Sequence, residues 1–220
     1  MSEAPLIVGI GGTLRAGSTS ERALRIALGE AERLGARTRI FVGQALDLAA
    51  YDPAEQNRSA AAVELVEALR AADGVIVSSP SYHGSISGLI KNAIDYTEDL
   101  RGDTRSYFSE RAIGTIVCAD GIQAMGSTLA TLRAIVHALR GWPTPFSAVI
   151  NSALRPFTPE GKCADPQVAQ QLGFVAEQVV EFARMHRLYQ TTRRGLDKPT
   201  TVAGEANPQR GSLVKLTLSS

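Results

Sequence analysis

The stretch Pro5-Leu-Ile-Val-Gly-Ile-Gly-Gly-Thr-Leu-Arg-Ala-Gly-Ser-Thr-Ser20 carries the chemistry of anion binding. A short β-branched apolar run enters a turn of glycines, hydroxyls and one arginine, and a helical pattern follows from Ser20 and Glu21. Glycines let the backbone approach an anion closely, while Thr13, Ser18, Thr19 and Ser20 offer hydroxyl donors. The free N–H groups and the positive dipole end of the helix aim at the same spot. Arg15 adds a planar, permanently charged fork suited to phosphate. Gly12-Thr-Leu-Arg-Ala-Gly17-Ser18-Thr19 has the glycine spacing of a nucleoside-triphosphate loop, but Ser18 stands where the lysine belongs, which argues against an ATPase or kinase. Gly9-Ile-Gly11-Gly-Thr-Leu14 begins like a dinucleotide fingerprint and breaks at its third glycine. The remaining fit is to a single monophosphate group.

A second stretch, Val75-Ile-Val-Ser-Ser-Pro80-Ser-Tyr-His-Gly-Ser-Ile-Ser-Gly88-Leu-Ile-Lys-Asn-Ala-Ile-Asp95, reads as strand, glycine- and serine-rich loop, then helix. Pro80 cannot donate to a ladder and is expected to end the strand. The backbone beyond it is free to meet a flat polar ring, with Tyr82 supplying ring surface and Gly84 permitting close approach.

These loops need a frame. Apolar strand candidates fall at residues 6–10, 38–42, 74–79, 112–118 and 147–150. Two contain continuous apolar runs, as parallel strands covered on both faces do. Leu24, Ala27, Leu28, Ala31 and Leu34 share one helical face, as do Val63, Val66, Leu69 and Ala72. Further helices are expected at 89–96, 127–139 and 168–188. Right-handed crossovers then give an α/β, three-layer, doubly wound fold. Its five-stranded parallel sheet takes the flavodoxin-like order 2-1-3-4-5, with ligand chemistry confined to the loops at residues 11–20, 78–88 and 119–126. From Thr191 the chain turns polar and aperiodic, which places the domain at residues 1–190 and leaves 191–220 as a tail, disordered or pairing with another subunit. Residues 211–220 alternate like a strand.

The chain resembles the NAD(P)H-dependent FMN reductase family of flavodoxin-like proteins, which typically carry G-S-x-R-x-x-S and P-x-Y-x-x-S-x-x-G-x-L-K-N-x-x-D motifs. Here the motifs stand as Gly12-Thr-Leu-Arg15-Ala-Gly-Ser18 and Pro80-Ser-Tyr82-His-Gly-Ser85-Ile-Ser-Gly88-Leu-Ile-Lys91-Asn92-Ala-Ile-Asp95, within a resemblance running from about residue 6 to 188. Thr13 replaces the common serine and keeps the hydroxyl; Ser81 and His83 stand where many relatives have glutamate and asparagine. The resemblance implies that Arg15 and the hydroxyls of Thr13, Ser18, Thr19 and Ser20 hold the FMN phosphate. It places Pro80, Ser81, Tyr82, His83, Gly84 and Ser85 along the isoalloxazine, with Asp120 and Gly121 closing the site from the other side. Hydride passes between NAD(P)H and FMN, so no side chain is expected to act as acid, base or nucleophile. The first expectation is a reductase supplying reduced FMN to a flavin-dependent monooxygenase. The alternative is an FMN-containing reductase of quinones, azo or nitro compounds or metal oxyanions, and a flavodoxin-type electron carrier ranks third. Carriers use a strongly acidic docking face, which a chain of formal net charge +1 lacks.

Several residues invite plainer readings. His83 is expected to make backbone or packing contacts, His137 and His186 to sit at or near the surface, and Lys91 to pair with Asp95. Glu98 and Asp99 read as a solvated helix end. Trp142 anchors a turn into the core or a subunit contact, and Tyr96, Trp142 and Phe146 are candidate anchors of a homodimer or homotetramer. Cys118 ends an apolar run and reads as a buried, inert thiol. Neither cysteine falls in a metal-ligand spacing. With 44% apolar and 20% charged residues, nothing signals disorder or a nucleic-acid surface. No stretch reaches membrane-spanning length and Met-Ser-Glu-Ala-Pro is unlike a signal peptide, so the expected setting is cytoplasmic.

Overall fold

The computed structural model describes residues 4–196, and the alternating segment 211–220 lies outside them. In chain order the elements are β1 (Leu6–Gly11), α1 (Thr19–Arg33), β2 (Arg37–Phe41), α2 (Ala60–Ala71), β3 (Gly74–Tyr82), β4 (Ser85–Ile86), α3 (Gly88–Asp95), β5 (Ala112–Ala119), α4 (Ile122–Ala138), β6 (Trp142–Pro143), β7 (Ala148–Asn151) and α5 (Pro166–Leu196). The parallel sheet runs β2-β1-β3-β5, and its next position is shared by two short strands. β6 pairs with residues 112–113 of β5, and β7 with residues 116–119. Trp142 N and Thr144 N donate to Arg111 O and Ile113 O, so Pro143 and Pro145 face the open edge, and the break falls where Phe146 N donates to Gln178 Oε1 at 2.9 Å instead of to β5. The expected order therefore holds, with the fifth strand in two pieces and a small antiparallel hairpin, β3–β4, added at one end.

Alternate residues of each strand feed the two helical layers. Val8, Ile10, Val75 and Val77 pack with Leu65 and Leu69 of α2, Ile90 of α3 and Leu132 of α4. Ile7, Ile76 and Ile116 pack on the other face with Leu24 and Leu28 of α1 and Leu172, Val175 and Val179 of α5. Burial on both faces explains the uninterrupted apolar strands. Because α1 and α2 leave toward opposite faces, the crevice beyond the carboxyl ends of β1 and β3 is the switch point of the fold.

Pro80 does not end β3. The carbonyl of Ser78 accepts from Gly12 N at 3.3 Å, so that side of the strand faces β1. Two residues on, Pro80 faces the same side, but pairing with β1 has stopped at Gly11 and Ser78. No ladder there requires the missing N–H, and the strand continues to Tyr82.

Other expectations are also revised. Tyr96 is buried, with its hydroxyl donating to Ala49 O at 3.1 Å, so it is no subunit anchor. Trp142 is 61% exposed and lies against Phe182 at a centroid distance of 5.6 Å, outside the core. Phe146 packs edge-on to Phe174 at 5.5 Å. Asp99 is a half-buried hub rather than a solvated end: Arg58 grips both its oxygens at 2.7 and 2.8 Å, and Tyr51 donates to it at 3.0 Å. α5 runs from Pro166 to Leu196, longer at both ends than the expected helix at 168–188. The pair Lys91–Asp95 forms as expected, at 2.6 and 2.8 Å. Burial pushes the Cys118 thiol pKa up, in keeping with an inert core residue. Among the described residues no helix is long and apolar enough to cross a membrane.

Candidate functional site

The loop between β1 and α1 turns on Gly12 and Gly17, whose φ values of 88° and 68° lie in the left-handed region. Ser18 caps α1, its Oγ accepting from Glu21 N at 3.3 Å. Thr13 Oγ1 accepts from Arg15 N at 3.2 Å and ties the loop's tip. Arg15 is exposed. Ser18 and Ser20 are buried, their hydroxyls 3.4 Å apart, and Ser20 O accepts from Ser78 Oγ at 2.8 Å. Ser20 thus ties the loop to β3 through its backbone carbonyl, and Ser18 holds the loop to the start of α1.

The segment after Pro80 is ordered as a hairpin. Ser81 pairs with Ile86 and Tyr82 with Ser85 in antiparallel register. His83 and Gly84 form the two-residue turn, both with positive φ. Ser81 Oγ lies 2.6 Å from Thr128 Oγ1 and donates to Ala124 O at 3.2 Å, while Ser127 Oγ donates to Gly84 O at 2.9 Å. The hairpin is thus fastened to α4. Asp120 and Gly121 are exposed at the start of that helix, where Gly121 is the cap without a side-chain bond.

Thr13 and Arg15 from the first loop and Tyr82 from the hairpin meet around an open cavity of about 720 Å³. Its remaining wall was not expected: Leu48 and Ala50, from the connection after β2, face Leu89 and Asn92 of α3. Asn92 holds that wall in place. Its Oδ1 accepts from Tyr51 N at 2.8 Å, and its Nδ2 donates to Ala49 O at 2.9 Å and Leu48 O at 3.2 Å. The second motif contains this asparagine, so a signal was present, but its partners are more than forty positions away. Leu14, Tyr82 and Ile122, each over half exposed, add apolar surface at the carboxyl ends of β1, β3 and β5. Thr19 points elsewhere, into a smaller cavity of about 390 Å³ shared with Arg22 and Arg155.

The model of the NADPH-dependent FMN reductase family matches residues 5–154, from β1 through the turn after β7. The chain belongs to this family. The FMN reductase match contains both motif loops and the start of α4 and leaves α5 outside. An FMN-dependent NADPH-azoreductase of Staphylococcus aureus is 38% identical over 82 residues, which is 37% of this chain and 40% of that protein. The chain thus aligns with less than half the length of that relative. Among solved structures, an NADH:FMN oxidoreductase in its apo form superposes with a TM-score of 0.60 at 21% identity, covering 83% of this chain and 90% of that one. A WrbA-like flavodoxin from Agrobacterium tumefaciens superposes at 0.54 with 17% identity over 83% of this chain and 99% of its own. At these identities the likeness is one of fold, and the fold is flavodoxin-like. His83 and Gly84 supply the two left-handed residues that a two-residue hairpin turn of this kind requires.

Proposed function

We propose that this protein uses NAD(P)H to reduce FMN, with the phosphate at the Thr13–Ser20 loop and the ring beside Tyr82. The observation that carries the reading is the meeting of Thr13, Arg15 and Tyr82 around one cavity at the carboxyl ends of β1 and β3. The donor set suits the group: exposed Arg15 lines the cavity with a permanently charged guanidinium, in a loop held open by Gly12 and Gly17 and tied by Thr13 Oγ1 to the Arg15 backbone. A Cβ on Gly11 would come within 2.8 Å of Ser78 O, so the glycine keeps the crevice floor low.

When bound, FMN supplies a ring that accepts hydride from a nicotinamide. The chain's own residues position and screen. Arg15 and Thr13 anchor the phosphate; Ser18 and Ser20 brace the loop that presents it. Tyr82, Leu14 and Ile122 offer apolar surface that displaces water from the ring's surroundings. Pro80, Ser81, His83, Gly84 and Ser85 set the hairpin beside the ring, and Asp120 and Gly121 face it from the β5 end. His83 contributes its backbone shape rather than a proton.

Two destinations for the electrons compete. Free reduced FMN delivered to a monooxygenase is the first. Direct reduction of an azo compound or quinone is favoured by the apolar wall of Leu48, Ala50 and Leu89, and by the azoreductase relative. FMN-dependence separates them. If NAD(P)H oxidation saturates with added FMN and a dialysed sample is colourless, FMN is a substrate; a yellow dialysed sample that reduces azo dyes without added FMN supports the second. Failure of any FMN-dependent NAD(P)H oxidation overturns both. We further propose self-association through the face carrying exposed Trp142 and half-buried Phe146, which a sedimentation mass near 23.4 kDa would refute.

A further inference from the structure

The phosphate loop folds around a carboxylate. Glu21 is only 7% exposed, and its Oε2 accepts from the amide of Gly17 at 2.9 Å. Its Cβ lies 3.1 Å from where a Cβ on Gly12 would stand. The side chain therefore touches both ends of the Gly12–Gly17 turn. Its other oxygen is bonded to Arg25, Nε at 2.9 Å and Nη2 at 2.8 Å. A helix that begins with Ser18 and carries glutamate three residues later follows the capping-box pattern, here reaching back one residue beyond the cap.

That arrangement has two consequences for an anion. The loop keeps its shape without any ligand, because Glu21 satisfies the Gly17 amide. The cost falls on phosphate binding: one loop donor is already occupied, and a negative charge stands behind the others in a buried setting where charges are poorly screened. Arg25 offsets this only in part, since its side chain is 53% exposed. Arg22, the other cation on the first turns of α1, donates to Thr158 O and Pro159 O at 3.0 and 3.3 Å and makes no ion pair with Glu21, although its guanidinium lies beside Gly17.

We infer that Glu21 weakens the hold of the loop on the flavin phosphate, so that FMN exchanges during turnover instead of remaining bound. The inference rests on the FMN reading above and makes the flavin a substrate. Glu21 is here a positioning residue with a charge penalty attached.

Glu21→Gln tests it: the amide oxygen still accepts from Gly17, while the charge and the bonds from Arg25 to the other oxygen are lost together. FMN and riboflavin are titrated by fluorescence quenching into wild type, Glu21→Gln and Glu177→Gln, a remote substitution of the same charge change. The expected result is FMN binding tighter by roughly tenfold in Glu21→Gln, with riboflavin unchanged and the difference shrinking at high salt. Glu177→Gln should match wild type. Dialysis should strip FMN from wild type faster than from Glu21→Gln. Unchanged or weaker FMN binding, or equal shifts for FMN and riboflavin, overturns the inference. If Glu21→Gln fails to fold, Arg25→Gln carries the test with opposite sign: FMN weakens and riboflavin does not, and the absence of that difference overturns it. Wild type binding neither flavin would remove the FMN reading and this inference together.

Discussion

Tyr82 and Ser85 face each other as the last pair of the β3–β4 hairpin, and the two residues joining them both hold positive φ, 52° at His83 and 80° at Gly84. This is the turn whose twist matches that of the flanking strands. It decides how the Tyr82 ring, 53% exposed, is presented to the cavity. Position 83 is therefore under a backbone constraint, and its imidazole has no carboxylate partner among the described residues.

His83→Asn should keep both fold and activity. His83→Ala should lower kcat by less than ~10-fold, under about 1.4 kcal/mol. His83→Val, β-branched at a left-handed position, should cost about 1–2 kcal/mol in denaturant unfolding. A loss of ~10³ in kcat for His83→Ala would place a proton transfer on that imidazole.

Arg15→Ala should weaken FMN by about 1.5–3 kcal/mol, the range for charge-assisted hydrogen bonds, and leave riboflavin nearly unaffected. Calorimetric titration of both ligands provides the comparison. Equal losses would mean that Arg15 touches the ring or the ribityl chain rather than the phosphate.

The Arg58 guanidinium, followed by the Tyr51 hydroxyl, holds the Asp99 carboxyl below the ordinary aspartate value of 3.8. The folded pKa lies under the unfolded one, so this stabilisation is complete above the unfolded value and fades as pH falls through the folded one. Asp99→Asn should lower stability by about 1–2 kcal/mol near neutrality and flatten the acid limb of the melting-temperature profile below pH ~4. An unchanged acid limb would show that the hub contributes nothing. Because Tyr51 borders the wall pinned by Asn92, flavin affinity should fall alongside stability.

The frame was legible where one physical requirement dominates. Residues 6–10 and 75–77 are apolar on both faces because both are covered, and the helical pattern beginning at Ser20 and Glu21 marks α1. The Ser18 cap that starts that helix at Thr19 reads in the sequence only as a phosphate hydroxyl. The hairpin was hidden by Pro80, whose lost donor matters only if a neighbouring strand extends that far. His83 also disguised the turn, since histidine reads as chemistry before it reads as backbone. The wall of Leu48 and Ala50 depends on hydrogen bonds from Asn92 across more than forty residues, which no local pattern reports. Asp99 beside Glu98 looked like solvated charge because Arg58, its partner, lies on a distant connection. Ser81 and Thr19 carried suitable side chains, but Ser81 is spent on α4 and Thr19 faces another cavity.

The most direct test of the central claim is rapid mixing, without oxygen, of the protein and FMN with NADPH or NADH, following loss of the oxidised-flavin absorbance. The account predicts bleaching that depends on the protein, saturates with nicotinamide cofactor, and slows when the transferred hydrogen of that cofactor is deuterium. Bleaching no faster than in protein-free solution, with both cofactors, would contradict it.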